Sequence, residues 1–163
     1  MATNERQTEL RYEPQEIDKK WQSRWANDGL YKVDDLADLP KWYEMTMYPY
    51  PSGDLHIGHW YAMAPSDAHA RFKRMQGYNV LHPMGFDSFG LPAENAAKEN
   101  NLHPKDWTIK NIETMKKQLK KIGLSIDWKR EISTCSPEYY KHQQIFFLVQ
   151  VYQHLSLHKY HRI

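Results

Sequence analysis

Apolar side chains recur at every fourth position in Ile17, Trp21 and Trp25, behind Pro14 and ahead of Gly29. That spacing predicts a helix with one apolar docking face. Across residues 42–48 the period shortens to two: Tyr43, Met45 and Met47 alternate with Glu44 and Thr46, the pattern of a strand with one buried apolar face. The proline-rich turn that follows ends it. A helix is predicted to open near His56, with Pro65 either kinking or restarting it because proline has no amide to donate. Ala68, Phe72 and Met75 carry its apolar face to Gly77, a natural carboxyl-terminal cap. Residues 78–82 read as a second strand. Residues 42–82 therefore form a strand, helix, strand unit, the seed of a parallel sheet with a right-handed crossover. Residues 83–90 are too rich in glycine and aromatics to be a regular element, and a helix opens at Leu91-Pro92. Ile109, Ile112, Leu119 and Ile122 share a face between Pro104 and Gly123, which predicts a helix over 105–122. Lys116, Lys117, Lys120 and Lys121 fall in its last two turns and suit the negative end of the helix dipole. A solvated face is one use for them, contact with nucleic-acid phosphates another. Ser136 before Pro137 marks the start of a last helix.

Composition narrows the class without naming a function. The 163 residues are 40% hydrophobic and 26% charged, as in an ordinary soluble globular protein. A net charge of +2 implies no particular partner. The single cysteine, Cys135, excludes an internal disulfide and a cysteine-rich zinc site, and it suits a reducing, cytoplasmic location. No apolar run approaches the length of a membrane span, and the charged first thirty residues do not resemble a signal peptide.

The chemistry concentrates in His56-Ile57-Gly58-His59. A histidine on a helix is usually a surface or core residue with a satisfied hydrogen bond. Here the framing differs, because Pro49 and Pro51 stiffen the strand exit, Ser52-Gly53-Asp54 is turn chemistry, and Gly58 sits in the first helical turn. A helix amino terminus behind a parallel strand presents free N–H groups and a positive dipole end to an anion. Imidazoles at i and i+3 lie on one face and donate to phosphate oxygens, more strongly when protonated. The G-x-G-x-x-G and G-x-x-x-x-G-K-[ST] fingerprints are absent after this strand, so any phosphate site is of another kind. The competing use of His56 and His59 is zinc, with His69 or Asp67 as a third ligand.

These residues resemble a known family. His56-Ile57-Gly58-His59 is similar to the H-I-G-H signature of class I aminoacyl-tRNA synthetases. The stretches Met47-Tyr48-Pro49-Tyr50-Pro51-Ser52-Gly53 and His82-Pro83-Met84-Gly85-Phe86-Asp87-Ser88-Phe89-Gly90-Leu91-Pro92-Ala93-Glu94-Asn95-Ala96-Ala97 resemble the leucyl branch. A third similar stretch covers residues 107–140, and the likeness extends over most of residues 10–147. The resemblance implies an α/β fold, the amino-terminal half of a Rossmann-like catalytic domain with a parallel sheet and flanking helices. It also implies activation of leucine by ATP, with Mg2+ accompanying the nucleotide, and transfer of leucine to tRNA(Leu). On that likeness His56 and His59 are catalytic and contact the ATP phosphates, with Pro49, Gly53 and Gly58 completing the ATP site. Gly58 lets adenine lie on the backbone, and Asp87 holds the leucine ammonium. Met47, Tyr48 and Tyr50 line the amino-acid pocket, with core packing as the alternative for these three and turn capping for Asp87.

The chain also departs from the family pattern. Trp60-Tyr61-Ala62 follows His59 where a polar step is common, and the lysine-rich K-M-S-K-S loop, the editing domain, the zinc-bearing insertion and the anticodon-binding helices are absent. The pattern is lost after Phe147, so a truncated or frameshifted reading of a longer gene is the expectation. The organisation that follows is a helical extension over 1–40, the first half of the catalytic domain over 41–148, and a divergent tail over 149–163. Three functions stand on these observations: an amino-terminal leucine–tRNA ligase fragment that needs a complementary carboxyl-terminal half, a nucleotide-binding module or regulatory paralogue without synthetase activity, and a small metal-binding protein.

Overall fold

In the computed structural model residues 12–160 are described. The chain divides into two compact units, Met1–Tyr31 and Lys32–Ile163. The described part of the first is a single helix, α1 (Pro14–Asn27), with Pro14 in its first turn as the sequence predicts. Gly29 takes a positive φ of 62°, its N–H bonds to the Ala26 carbonyl, and Leu30 N–H bonds back to Trp25 at 3.0 Å. That pair of bonds is the Schellman ending that a glycine makes without strain. Trp21 and Trp25 lie ring to ring at 6.3 Å, yet no α1 residue is buried.

The second unit runs β1 (Lys41–Tyr43), α2 (Ile57–Met75), β2 (Asn79–Leu81), β3 (Gly85–Phe86), α3 (Leu91–Glu99), α4 (Pro104–Ile122), β4 (Ile132–Ser133) and α5 (Pro137–Tyr160). β1 pairs in parallel with β2, Trp42 opposite Val80, so the predicted strand, helix, strand unit is present. β3 pairs in parallel with β4, Gly85 opposite Ile132. Single hydrogen bonds join these ladders into three lanes. Glu44 N–H reaches Leu81, Asp87 N–H reaches Pro49, and Asp127 N–H reaches His82. Residues 79–87 are the central lane, with 41–49 on one side and 127–134 on the other.

Several predicted faces are reversed. The first strand spans only Lys41–Tyr43, and the strand and the chain that continues it expose Tyr43, Met45 and Met47 at 57%, 66% and 78% while burying Thr46. The cause is α2, which lies on the Trp42 and Glu44 side: the His69 ring is 5.3 Å from Trp42 and its Nδ1 is 2.7 Å from Glu44 Oε2. Lys73 Nζ stands 4.2 Å over the Trp42 ring on the same side. α2 itself buries Met63, Asp67 and Ala70, leaving Ala68, Phe72 and Met75 exposed. It runs unbroken through Pro65, so that residue does not restart it. Residues 83–90 hold a strand after all. Gly85 makes it possible, since a Cβ there would stand 2.6 Å from the Ile132 side chain and 2.8 Å from the Tyr48 ring. α4 buries Thr108, Asn111, Met115 and Leu119, whereas Ile109 and Ile122 are half exposed.

The core comprises Met63, Met84, Phe86, Met115, Leu119, Leu124 and Ile126, with Tyr48 and Leu55 packed against it. Beside it lies a buried polar knot that periodicity does not reveal. Asp67 accepts from Arg71 and from the Ser125 amide, and Arg74 donates to the Ser125 hydroxyl at 2.8 Å and to its carbonyl. Burial alone would raise the Asp67 carboxyl, but the Arg71 and Ser125 hydrogen bonds overcome it and hold the group below its usual range. His82, 1% exposed, donates Nδ1–H to the Ser125 carbonyl at 3.1 Å, and its Nε2 has no hydrogen-bond partner among the described residues.

Burial is the largest influence on His82 and lowers its pKa against the pull of Asp67. The neutral ring belongs to the folded state. Protons therefore bind the unfolded chain more readily, and stability falls as pH drops below the ordinary imidazole value of about 6.5 toward the lower folded one. Chemical denaturation at pH 7.5 and pH 5.5 checks this. The expected result is a lower midpoint at pH 5.5, with the gap narrowed by His82→Gln.

Candidate functional site

The extended lane 41–49 delivers the chain to α2 through a turn whose Pro51 is fully buried. His56 is the N-cap of α2, in extended backbone at φ −125°. Its Nδ1 accepts from Gly58 N–H at 3.1 Å, and His56 N–H donates to His59 Nδ1 at 3.2 Å. The two rings lie 4.0 Å apart. This is a reciprocal capping box in which imidazole nitrogens replace the usual hydroxyl and carboxylate. Gly58 serves it directly, because a Cβ there would come within 2.8 Å of His56 Cε1.

The box has chemical consequences. A backbone N–H can only donate, so both Nδ1 atoms are acceptors and each neutral ring carries its proton on Nε2. The pair therefore offers two Nε2–H donors at the positive end of a helix dipole. Burial, and then the neighbouring His56, lower the pKa of His59. Protonation at either Nδ1 would displace an amide from its cap. The gain in donor strength expected from imidazolium is thus set against a lost capping bond. The amides of His56 and Gly58 are already bonded to the rings, so they are not the free N–H groups that a helix start was expected to offer, and the outward donors of the box are the imidazole Nε2–H groups.

Gly53 faces open space, and Pro49 is buried with its carbonyl bonded to Asp87 N–H at 3.0 Å. That bond sets Asp87, at the carboxyl end of β3, beside the strand exit leading to the histidines. Asp87 Oδ1 accepts from Thr134 Oγ1 at 3.3 Å, and Thr134 Oγ1 in turn accepts from Ser88 N–H at 2.8 Å. Thr134 was not foreseen. It lies 47 residues from Asp87, and only the β3–β4 pairing brings it near. Tyr48 is half-buried against the core and Gly85. Burial pushes its phenol up, helped by Tyr43 and Tyr139. Met47 and Tyr50 are exposed, at 78% and 56%.

The ligands considered for zinc are not brought together. His69 pairs with Glu44, and Asp67 with Arg71 and Ser125. Among the described residues no cluster of three or more His, Cys, Asp or Glu side chains is placed to hold a metal ion.

A family model described as tRNA synthetases class I (M) matches residues 43–161. The chain belongs to the class I tRNA synthetases. Leucine–tRNA ligases are similar to this synthetase chain: that of Dehalococcoides mccartyi is 59% identical over 138 residues, 85% of this chain and 17% of that protein. That of Rubrobacter xylanophilus is 58% identical over 137 residues, again 17% of its length. The chain thus spans about a sixth of the length of these curated relatives. Among solved structures, the ternary complex of Agrobacterium radiobacter K84 agnB2 LeuRS with tRNA and LeuAMS superposes with a TM-score of 0.84 at 41% identity, over 89% of this chain and 18% of that one. Mycobacterium tuberculosis methionyl-tRNA synthetase bound by methionyl-adenylate gives 0.58 at 29% identity, over 62% of this chain and 20% of that one. The fold is that of the class I synthetase catalytic domain, here its amino-terminal portion, helical with small parallel sheets. Every site residue inferred from this synthetase's sequence lies within the matched span.

Proposed function

We propose that this chain supplies the amino-terminal part of the catalytic domain of a leucine–tRNA ligase and acts with a complementary carboxyl-terminal half. The observation that carries the reading is the imidazole capping box at the start of α2, in a chain 59% identical to leucine–tRNA ligases. In the first step a leucine carboxylate oxygen bonds to the α-phosphorus of ATP and the bond to the β-phosphate bridge breaks, releasing pyrophosphate. In the second, a ribose hydroxyl of the terminal nucleotide of tRNA(Leu) takes the acyl group, loses its proton, and AMP departs. The Nε2–H groups of His56 and His59 donate to phosphate oxygens as charge builds there, a stabilisation that comes from placement rather than covalent chemistry. Asp87 pairs with the leucine ammonium, and Thr134 orients its carboxylate.

Adenine stacks at Gly58, the open flank at Gly53 and the Pro49 backbone border the nucleotide, and Met47, Tyr48 and Tyr50 face the amino acid. In this reading Mg2+ accompanies the ATP as the nucleotide's counter-ion. Residues 1–40 are then an amino-terminal extension, helical over Pro14–Asn27, 41–148 the first half of the catalytic domain, 149–163 a divergent tail, and the location cytoplasmic; residues 1–11 and 161–163 of these spans lie outside the described residues.

Leucine-dependent exchange of pyrophosphate into ATP tests the proposal. The expected result is very weak exchange by the chain alone and a large increase once the carboxyl-terminal half is added. Failure of leucine to drive exchange in the completed protein would overturn it. ATP retained in equilibrium dialysis without any exchange would favour the nucleotide-binding module instead.

A further inference from the structure

The turn that presents His56 has no ladder of its own, and its backbone polar groups are met by side chains. Two of those side chains come from α4, far away in sequence. Asn111 Nδ2 donates to the Pro51 carbonyl at 3.0 Å. Gln118 Oε1 accepts from Leu55 N–H at 3.0 Å, while its Nε2 donates to Asp54 Oδ1 at 3.0 Å. Asn111, Met115 and Gln118 stand at i, i+4 and i+7, one stripe along the helix covering roughly 10 Å of its axis. Met115 between them is in the core, which anchors the stripe.

We infer that Asn111 and Gln118 are positioning residues for the activation step: α4 acts as a splint that holds residues 51–55 and so sets where the His56–His59 pair meets the nucleotide. Asn111 is 8% exposed, a place where an apolar side chain would suit a helix's inward face. A polar group there stabilises only through its bond, and that bond goes to the turn. The Gln118 amide has one workable orientation, since a backbone N–H only donates and a carboxylate only accepts. It ties the turn through both its main chain and its Asp54 side chain, directly before the N-cap. Leu55 adds an apolar anchor by packing against the core. The periodicity of α4 conceals all this, because Asn111 and Gln118 read as breaks in its apolar face.

The inference rests on the ligase reading, and its test keeps the two apart. The chain is joined to the remaining length of a leucine–tRNA ligase, and three variants are compared with that parent. Gln118→Glu keeps the shape but sets a carboxylate against Asp54. Combining it with Asp54→Asn restores the pair with the donor direction reversed. Asn111→Leu removes the donor to Pro51 at similar volume. Hydrogen exchange of the Leu55 amide, thermal midpoint, and kcat and KM for ATP and for leucine are measured.

In Gln118→Glu the Leu55 amide should lose protection, and kcat/KM for ATP should fall about tenfold to a hundredfold, the scale of a small misplacement at a reacting centre. KM for leucine should stay within about twofold, since the splint acts on the phosphate side. The double variant should recover most of both losses. Asn111→Leu leaves the buried Pro51 carbonyl unpaired and should lower the thermal midpoint somewhat, yet at temperatures where it is fully folded it should still lose rate, a split that a purely structural role does not produce. An active parent whose kcat/KM for ATP ignores these substitutions would overturn the splint, as would a double variant no better than Gln118→Glu. A parent that fails to exchange pyrophosphate counts against the ligase reading; in that case unaltered Leu55 protection in Gln118→Glu still overturns the splint.

Discussion

His56→Ala, in the chain joined to the remainder of a leucine–tRNA ligase, should slow leucine-dependent pyrophosphate exchange by about 10²–10³-fold, the usual cost of removing one preorganised donor to developing charge. The same change removes an N-cap, worth roughly 1 kcal/mol. Against the 5–15 kcal/mol typical of a domain that leaves the protein folded, so rate and stability separate. His56→Asn sharpens the test, because asparagine caps a helix as well as any residue but offers no imidazole. The expected outcome is a near-parental thermal midpoint with the rate still depressed. Parental rates in His56→Asn would show that the side chain serves α2 alone.

Phe86→Ala should be the most damaging single change to folding. Phe86 is fully buried in the central lane, among Met84, Met63, Met115 and Leu119. Its neighbour Gly85 is pressed by Tyr48 and Ile132, so the surroundings have little freedom to close on a cavity. Phenylalanine to alanine in such a place costs about 3–5 kcal/mol, a large fraction of any domain's total. Urea denaturation followed by tryptophan fluorescence should show a much lower midpoint or no folded baseline. A midpoint within experimental error of the parent would mean that the core does not depend on β3.

Local signals were readable where backbone chemistry alone sets the outcome. Pro14, Gly29, Gly77 and Gly123 bound helices where their φ preferences require. His56 opens α2 as inferred from its turn and glycine context. Asn101, by contrast, ends α3 in the left-handed region at φ 53°, with Leu102 N–H bonded back to Ala97. Asparagine tolerates that conformation, but nothing in the surrounding pattern singles it out.

Faces were a different matter. The alternation of Tyr43, Met45 and Met47 reads as a strand over 42–48 buried on that side, whereas the ladder holds only Lys41–Tyr43 and the other side is covered, because α2 approaches through Glu44, His69 and Trp42. A period reports that two sides differ; it is silent on which side meets a partner when the buried contacts are polar. The same holds for α2, whose inward side carries Asp67, Arg71 and Arg74 bonded to Ser125 and Gly123.

The amino-acid order alone established the strand, helix, strand unit, the histidine pair at a helix start, and the family likeness, since each depends on residues close together along the chain. Three-dimensional packing alone decided that Thr134 reaches Asp87, that Asn111 and Gln118 hold the turn, and that both histidines keep Nδ1 as an acceptor. The first two bring together groups about 45–65 residues apart, and loop closure on that scale costs little entropy compared with the contacts it permits. The third is a matter of hydrogen-bond direction, which follows from where each N–H points once the backbone has taken its final course.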